Sequence, residues 1–276
     1  MNSFCVEGKL IDFKEPKIMG ILNLTPDSFY DGGRHNSLEH AIEHVAQMLQ
    51  EGADIIDIGA VSSRPGAVEV SFEDELNRLI SVVKAIKSKF PETILSIDTF
   101  RAKIVQEIGR FTQFIVNDIS GFDKDPELLN VVSDLDLPYV LMHMNGTPQT
   151  MQNNPKYQDV CLEILQYFSE KLFQIKSKGV RQVIIDPGFG FGKRKEHNFQ
   201  LLQKLSVFNI LDAPLMVGLS RKSMIYKAID AGPEASLNGT TALHMVALLN
   251  GATILRVHDV KEAVETRILW NELIKT

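Results

Sequence analysis

The stretch Gln182-Val-Ile-Ile-Asp-Pro-Gly-Phe-Gly-Phe-Gly-Lys-Arg194 decides between two folds. An apolar run ends in an acid, then glycine falls at 188, 190 and 192 with Lys193 behind them. A strand entering a glycine-rich turn suggests a nucleotide-binding, doubly wound open sheet. The residues fail both phosphate templates. A P-loop needs glycine where Pro187 stands and a hydroxyl where Arg194 stands, and the dinucleotide fingerprint needs a third glycine in place of Lys193.

Outward from this stretch, the same unit recurs along the chain. The apolar runs are Lys17–Leu24, Asp54–Gly59, Thr93–Thr99, Phe114–Ile119, Tyr139–Met144, Gln182–Asp186, Leu215–Leu219 and Thr253–Val257. Short, near-continuous runs of this kind suit parallel strands buried on both faces. Amphipathic segments lie between them. In Leu38–Leu49 the stripe is Leu38, Ala41, Ile42, Val45, Met48 and Leu49, with Gly52 as a stop. Ser71 opens the next helix in capping-box style. Further helices are expected near 102–108, 126–132, 160–176, 198–205, 238–249 and 261–274. Eight strand–helix units predict an α/β fold, a single (β/α)8 TIM barrel over residues 1–276. The first fifteen residues, with Gly8 between two extended runs, predict a hairpin covering the barrel bottom.

Bulk properties narrow the function. The chain has 276 residues, 44% hydrophobic and 23% charged, with a net charge of −6. That balance gives no sign of a nucleic-acid partner. No apolar run approaches the length of a membrane span. The start of the chain lacks the basic and apolar regions of a signal peptide. Cys5 and Cys161 form no metal or redox spacing, which fits a reducing cytoplasm.

In a TIM barrel the chemistry stands at the C-terminal ends of the strands. Here those ends carry Asn23, Asp57, Asp98, Asn117-Asp118, Met142-His143-Met144, Asp186, Ser220-Arg221-Lys222 and Arg256-Val257-His258-Asp259. Asp98 and Asp186 interrupt otherwise apolar runs, and a buried carboxylate demands donors. Arg256 and His258 are two apart and share a strand face; Ser220 and Lys222 do so if the chain stays extended. With Arg64 from the second loop they make an anion site. The carboxylates, Asn117 and Lys222 suit a polar heterocycle, whose adjacent N–H groups a carboxylate can accept in pairs. Two motif matches are coincidental. His40-Ala-Ile-Glu43-His44 fits a zinc pattern, but its histidines lie off the apolar stripe and no third ligand follows. Ser81-Val-Val-Lys84 lies inside a helix without its companion motifs.

The motifs together carry a resemblance. Gly20-Ile-Leu-Asn-Leu-Thr-Pro-Asp-Ser-Phe29 with Asp31-Gly-Gly33 resembles the first loop of the dihydropteroate synthase family. So do Asp57-Ile-Gly59 with Ser63-Arg-Pro-Gly66, Ser96-Ile-Asp-Thr99, Asn117-Asp-Ile-Ser-Gly121, Leu141-Met-His-Met144, Asp186 through Lys193, Gly218-Leu-Ser-Arg-Lys222 and Arg256-Val-His-Asp259. The resemblance runs from about Lys17 to the C-terminus, with a motif at every strand. It implies a transferase of folate biosynthesis, a sulfonamide target, that joins p-aminobenzoate to 6-hydroxymethyl-7,8-dihydropterin pyrophosphate and releases pyrophosphate. It implies a pterin site at Asp98, Asn117, Met142, Asp186, Gly218 and Lys222. It implies a pyrophosphate site at Asn23, Ser63, Arg64, Arg256 and His258, with Asn23 contacting magnesium and Asp31 joining when the first loop closes. Phe191, Ser220, Arg64 and Pro65 would line the p-aminobenzoate pocket. A homodimer is implied as well. The second loop departs from the family: Val61 stands where a glutamate is usual, so that loop is expected to adjust, while Ser63 keeps a hydroxyl. The chemistry needs no strong general base, because an arylamine is already neutral. Two alternatives remain at this point, a pterin-barrel methyltransferase passing a methyl group to a corrinoid, and a non-enzymatic pterin-binding paralogue.

Overall fold

Each of the eight apolar runs forms a strand in the computed structural model, which describes residues 3–24, 33–61, 70–147, 151 and 155–275. An antiparallel hairpin comes first, β1 (Ser3–Val6) and β2 (Lys9–Asp12). The barrel strands follow as β3 (Lys17–Asn23), β4 (Ile55–Gly59), β5 (Ile94–Asp98), β6 (Ile115–Asp118), β7 (Tyr139–Met142), β8 (Val183–Asp186), β9 (Met216–Val217) and β10 (Ile254–Val257). They lie parallel in the order β8-β7-β6-β5-β4-β3-β10-β9. A parallel bridge between Ile185 and Leu215 joins the two ends of that order and brings the sheet round into a barrel.

Helices return the chain between strands, as parallel pairing requires. They are α1 (Gly33–Glu51), α2 (Phe72–Lys89), α3 (Ala102–Gly109), α4 (Leu128–Asp134), α5 (Val160–Ser177), α6 (Lys195–Gln203), α7 (Ser223–Ala228), α8 (Leu237–Leu249) and α9 (Val260–Ile274). The sequence cues act locally as expected. Ser71 caps α2, its Oγ accepting from the Asp74 N–H at 3.1 Å. α7 is an addition to the expected set; six residues are too few to show helical periodicity.

Strand side chains alternate between barrel interior and helix layer. The outward set, including Ile18, Ile56, Leu95, Val116, Leu141, Ile185 and Leu255, packs with the helices in the main core. The inward set begins apolar. Met19, Ile55, Ile115, Val140, Ile184, Met216 and Ile254 form a separate cluster with Phe4, Val6, Ile11 and Phe13. The hairpin thus plugs the N-terminal end of the barrel, with Phe4 and Phe13 meeting edge to face at 5.2 Å. Two residues further along the same columns the side chains turn polar: Asp57, Asn117, Asp186 and Arg256. The barrel interior therefore changes from hydrocarbon to charge within one strand length.

Candidate active site at the C-terminal end of the barrel

The hub of the polar end is Asp57, fully buried on β4. Its carboxylate accepts from Ser96 Oγ at 2.6 Å, from Asn117 Nδ2 at 3.2 Å and from Arg256 Nε at 2.7 Å. Arg256 Nη2 then reaches Asp98 at 3.2 Å. One guanidinium so spans two carboxylates. Arg256 is less open than the sequence suggested, because two of its nitrogens face inward to acids; Nη1 has no protein acceptor among the described residues. From the sequence Asp57 is a strand residue with no role of its own. The signal was present in the columns Ile55-x-Asp57, Ile115-x-Asn117, Ile184-x-Asp186 and Ile254-x-Arg256, which point these polar groups to one place.

Asp98 and Asp186 retain acceptor capacity. A carboxylate offers about four lone-pair sites. Asp98 accepts only from Arg256 among the described residues, and Asp186 only from the Gly188 N–H at 2.8 Å. Burial pushes Asp98 up to about 7, with Arg256 opposing the shift and the charges of Asp57 and Asp118 adding to it. Burial also raises Asp186, against the pull of Lys222 and the Gly188 N–H. Lys222 is lowered to about 8 by burial, partly offset by Asp186. Acids that keep open lone pairs beside a buried lysine at one end of a barrel point to a ligand site. Asp118, next to Asn117, has a different part. Its carboxylate is filled by Ser120, Phe122 and Tyr139, so it braces the loop after β6.

Lys222 does not sit on an extended strand with Ser220. The strand β9 ends at Val217, and the chain turns through Arg221, whose φ is +54°. Lys222 then precedes α7, and its Nζ donates to the Phe189 carbonyl and lies 4.7 Å from the centre of the Phe191 ring. Gly218 lies beneath it; a Cβ there would be 3.8 Å from Nζ. The last two loops are tied together. The His258 N–H donates to Ser220 Oγ at 3.2 Å, and Arg221 grips Asp259 with bonds of 2.9 and 2.7 Å. The His258 side chain is exposed at this end, and Asn23 is exposed at the end of β3. Met142 is buried; a Cβ on Gly188 would stand 3.4 Å from its Cγ.

Asp31, Ser63, Arg64 and Pro65 lie outside the described residues, as does the part of the second loop where the Val61 departure was expected to act. The zinc-like pattern on α1 is not a site: His40 and Glu43 are mostly exposed and 3.5 Å apart. Among the described residues no group of three His, Cys, Asp or Glu side chains could hold a metal ion.

A buried Arg–Asp network, two acids with open lone pairs, and a lysine against an aromatic ring form a recognisable polar cup. Comparisons with known proteins place the whole chain in a family. Residues 19–258 match the family described as pterin binding enzyme. The chain is 46% identical to dihydropteroate synthase of Escherichia coli K12 over 261 residues, covering 94% of this chain and 92% of that one. Its fold superposes with a TM-score of 0.93 on Yersinia pestis dihydropteroate synthase solved with a sulfonamide drug complex, at 40% identity, covering 99% and 100% of the two chains. The TM-score is 0.92 with Xanthomonas albilineans dihydropteroate synthase solved with 4-aminobenzoic acid, at 36% identity and 100% and 99% coverage. The chain belongs to the dihydropteroate synthase family of pterin-binding TIM-barrel enzymes.

Proposed function

We propose that this chain condenses 6-hydroxymethyl-7,8-dihydropterin pyrophosphate with p-aminobenzoate, giving 7,8-dihydropteroate and pyrophosphate. The observation that carries the assignment of roles is the pair of under-filled carboxylates, Asp98 and Asp186, beside Lys222 and Asn117. Asp186 and Asp98 would accept from the pterin N–H groups, while Lys222 donates to a ring oxygen or nitrogen and Met142 packs beneath. The methyltransferase and non-enzymatic alternatives are not favoured, since the family likeness is to the synthases over almost the whole chain.

The chemistry follows from charge. As the C–O bond to the exocyclic methylene breaks, its electron pair stays on the departing pyrophosphate oxygen; preorganised cations stabilise that charge. Arg256, held by Asp57, and His258, whose N–H is tied to Ser220, would meet that charge, and Arg64 and Ser63 of the second loop would join them. The electron-rich pterin supports the cation left on its exocyclic methylene, so loss of pyrophosphate runs ahead of attack in an SN1-like order. The neutral amine of p-aminobenzoate, in a pocket that Phe191, Ser220 and Pro65 would line, attacks that carbon and releases a proton. The donor set also fits magnesium: Asn23 offers one exposed oxygen ligand, and Mg2+ commonly takes one or two protein oxygens with phosphates and water. Asn23 would hold the ion, with Asp31 contributing from the first loop, and the bound metal would supply charge neutralisation at the pyrophosphate.

A homodimer fits the exposed Leu249, Ile268, Leu269, Leu273 and Ile274 on α8 and α9, an unusual density of apolar surface. A sulfonamide, as an analogue of the arylamine, would compete at the p-aminobenzoate pocket. No helix among the described residues is long and apolar enough to cross a membrane, and both cysteines are free, which fits a cytoplasmic site of action. The deciding assay is pyrophosphate release with the dihydropterin pyrophosphate, magnesium and p-aminobenzoate. Release that depends on all three is expected; folded protein that releases none overturns the reading.

A further inference from the structure

Lys193 closes the glycine stretch, and its side chain is only 3% exposed. A buried ammonium normally requires an anion. Among the described residues no carboxylate lies within ion-pair distance of it. Its Nζ instead donates to the Gly188 carbonyl at 2.9 Å, the Phe191 carbonyl at 3.0 Å and His143 Nδ1 at 3.0 Å, with the His143 carbonyl further off at 3.4 Å. Burial lowers Lys193 well below the usual lysine value, with Asp186 opposing the shift. In the ammonium form its three N–H groups match the three short contacts, and Nδ1 of a neutral His143 ring is then the acceptor. Burial and the nearby lysine hold that histidine down to about 2, in keeping with this role.

The bonds shape the loop. Lys193 reaches back to carbonyls five and two residues earlier and across to the end of β7, so the segment is wound around its own side chain. Gly188, Gly190 and Gly192 all have positive φ, 68°, 82° and 64°. A Cβ at Gly188 would come within 2.0 Å of the His143 carbonyl oxygen, and one at Gly192 within 2.3 Å of that of Asn145. Only glycine permits that closeness. The winding sends Phe189 into the core and leaves Phe191 half-buried against Lys222. The Phe189 carbonyl, between the two carbonyls that Lys193 holds, receives the Lys222 Nζ.

We propose that Lys193 and His143 are positioning residues: they clamp the 188–192 loop so that Phe191 presents its ring to the arylamine substrate, and thereby set p-aminobenzoate affinity more than pterin affinity. The proposal rests on the reading that Phe191 lines the p-aminobenzoate pocket. It gives the glycine stretch a function distinct from phosphate binding: its cation is turned inward to its own backbone.

The test is steady-state kinetics on the full chain with four variants, Lys193→Met, His143→Leu, His143→Gln and Phe191→Ala, each checked for folding by thermal melting. Lys193→Met and His143→Leu should match Phe191→Ala, raising KM for p-aminobenzoate by about 10-fold or more, the scale of a lost charged hydrogen bond. KM for the pterin pyrophosphate should stay within about 3-fold, well under one such bond. His143→Gln keeps an acceptor for Lys193 and should remain near the parent enzyme. A purely structural role predicts lowered melting temperature with both KM values unmoved, and that result overturns the proposal. If Phe191→Ala alone raises KM, the clamp is wrong and the pocket reading stands. If Phe191→Ala has no effect, both fall. Should Lys193→Met fail to fold, the Leu/Gln contrast at His143 decides: equal KM values there overturn the clamp.

Discussion

The two ends of the barrel are made by the same strands and differ in what their inward residues lack. At the N-terminal end, Met19, Ile55, Ile115, Val140, Ile184, Met216 and Ile254 pack with Phe4, Val6, Ile11 and Phe13 into one buried apolar cluster. At the C-terminal end, the next inward residues are Asp57, Asn117, Asp186 and Arg256, and their bonding is only partly complete within the protein. Burying acids and cations in that way is unfavourable for folding unless every lone pair is met. The contrast teaches where the protein is stabilised and where it is left unfinished for a ligand.

The sharpest way to break this division is to cross it. Phe4→Ala should lower unfolding free energy by about 3–5 kcal/mol, the range for large-to-small core changes. Chemical denaturation measures it, and kcat/KM of the folded protein should stay unchanged. A matching loss of activity would show that the two ends are coupled. Lys222→Ala is the reciprocal change. It should weaken pterin binding by about 1.5–3 kcal/mol, the scale of a hydrogen bond to a charged group. Quenching of pterin fluorescence reports it, with little loss of stability expected, since a buried cation is removed.

Acidity sharpens the comparison further. Asp98 rises to about 7 in the free protein and Lys222 falls to about 8. With Asp98 ionised to accept from the pterin, as proposed, affinity should fall as pH drops through about 7 and the carboxyl takes up a proton. The protonated Lys222 donates most strongly, so affinity should fall again as pH rises through about 8. Affinity measured from pH 5 to 10 should therefore be bell-shaped; a flat profile would contradict the placing of these two groups. The smallest effect belongs to the exposed zinc-like pattern on α1: His40→Ala should change stability by less than about 0.5 kcal/mol, as surface substitutions do. Zinc titration should show no difference from the parent protein.

Much of this was legible from sequence, for physical reasons. The strands announced themselves because a two-sided buried strand must be apolar along its length. Asp98 and Asp186 stood out because an acid inside such a run is costly. Asp57 did not acquire its role, since its partners Ser96, Asn117 and Arg256 are 39, 60 and 199 residues away. The bend at Arg221 was also hidden, because β9 is only two residues long and the left-handed turn falls on a non-glycine residue. Lys193 was the hardest to read: most of its acceptors are backbone carbonyls, which every residue possesses.

The central claim is that the unfinished acids at the C-terminal end hold the pterin. Calorimetric titration of 6-hydroxymethylpterin into the parent protein and into Asp186→Asn tests it most directly. The account predicts clear binding to the parent and a loss of about 10-fold or more in the variant, the scale of a charged hydrogen bond, at nearly unchanged melting temperature. Equal affinity in the two proteins would contradict it.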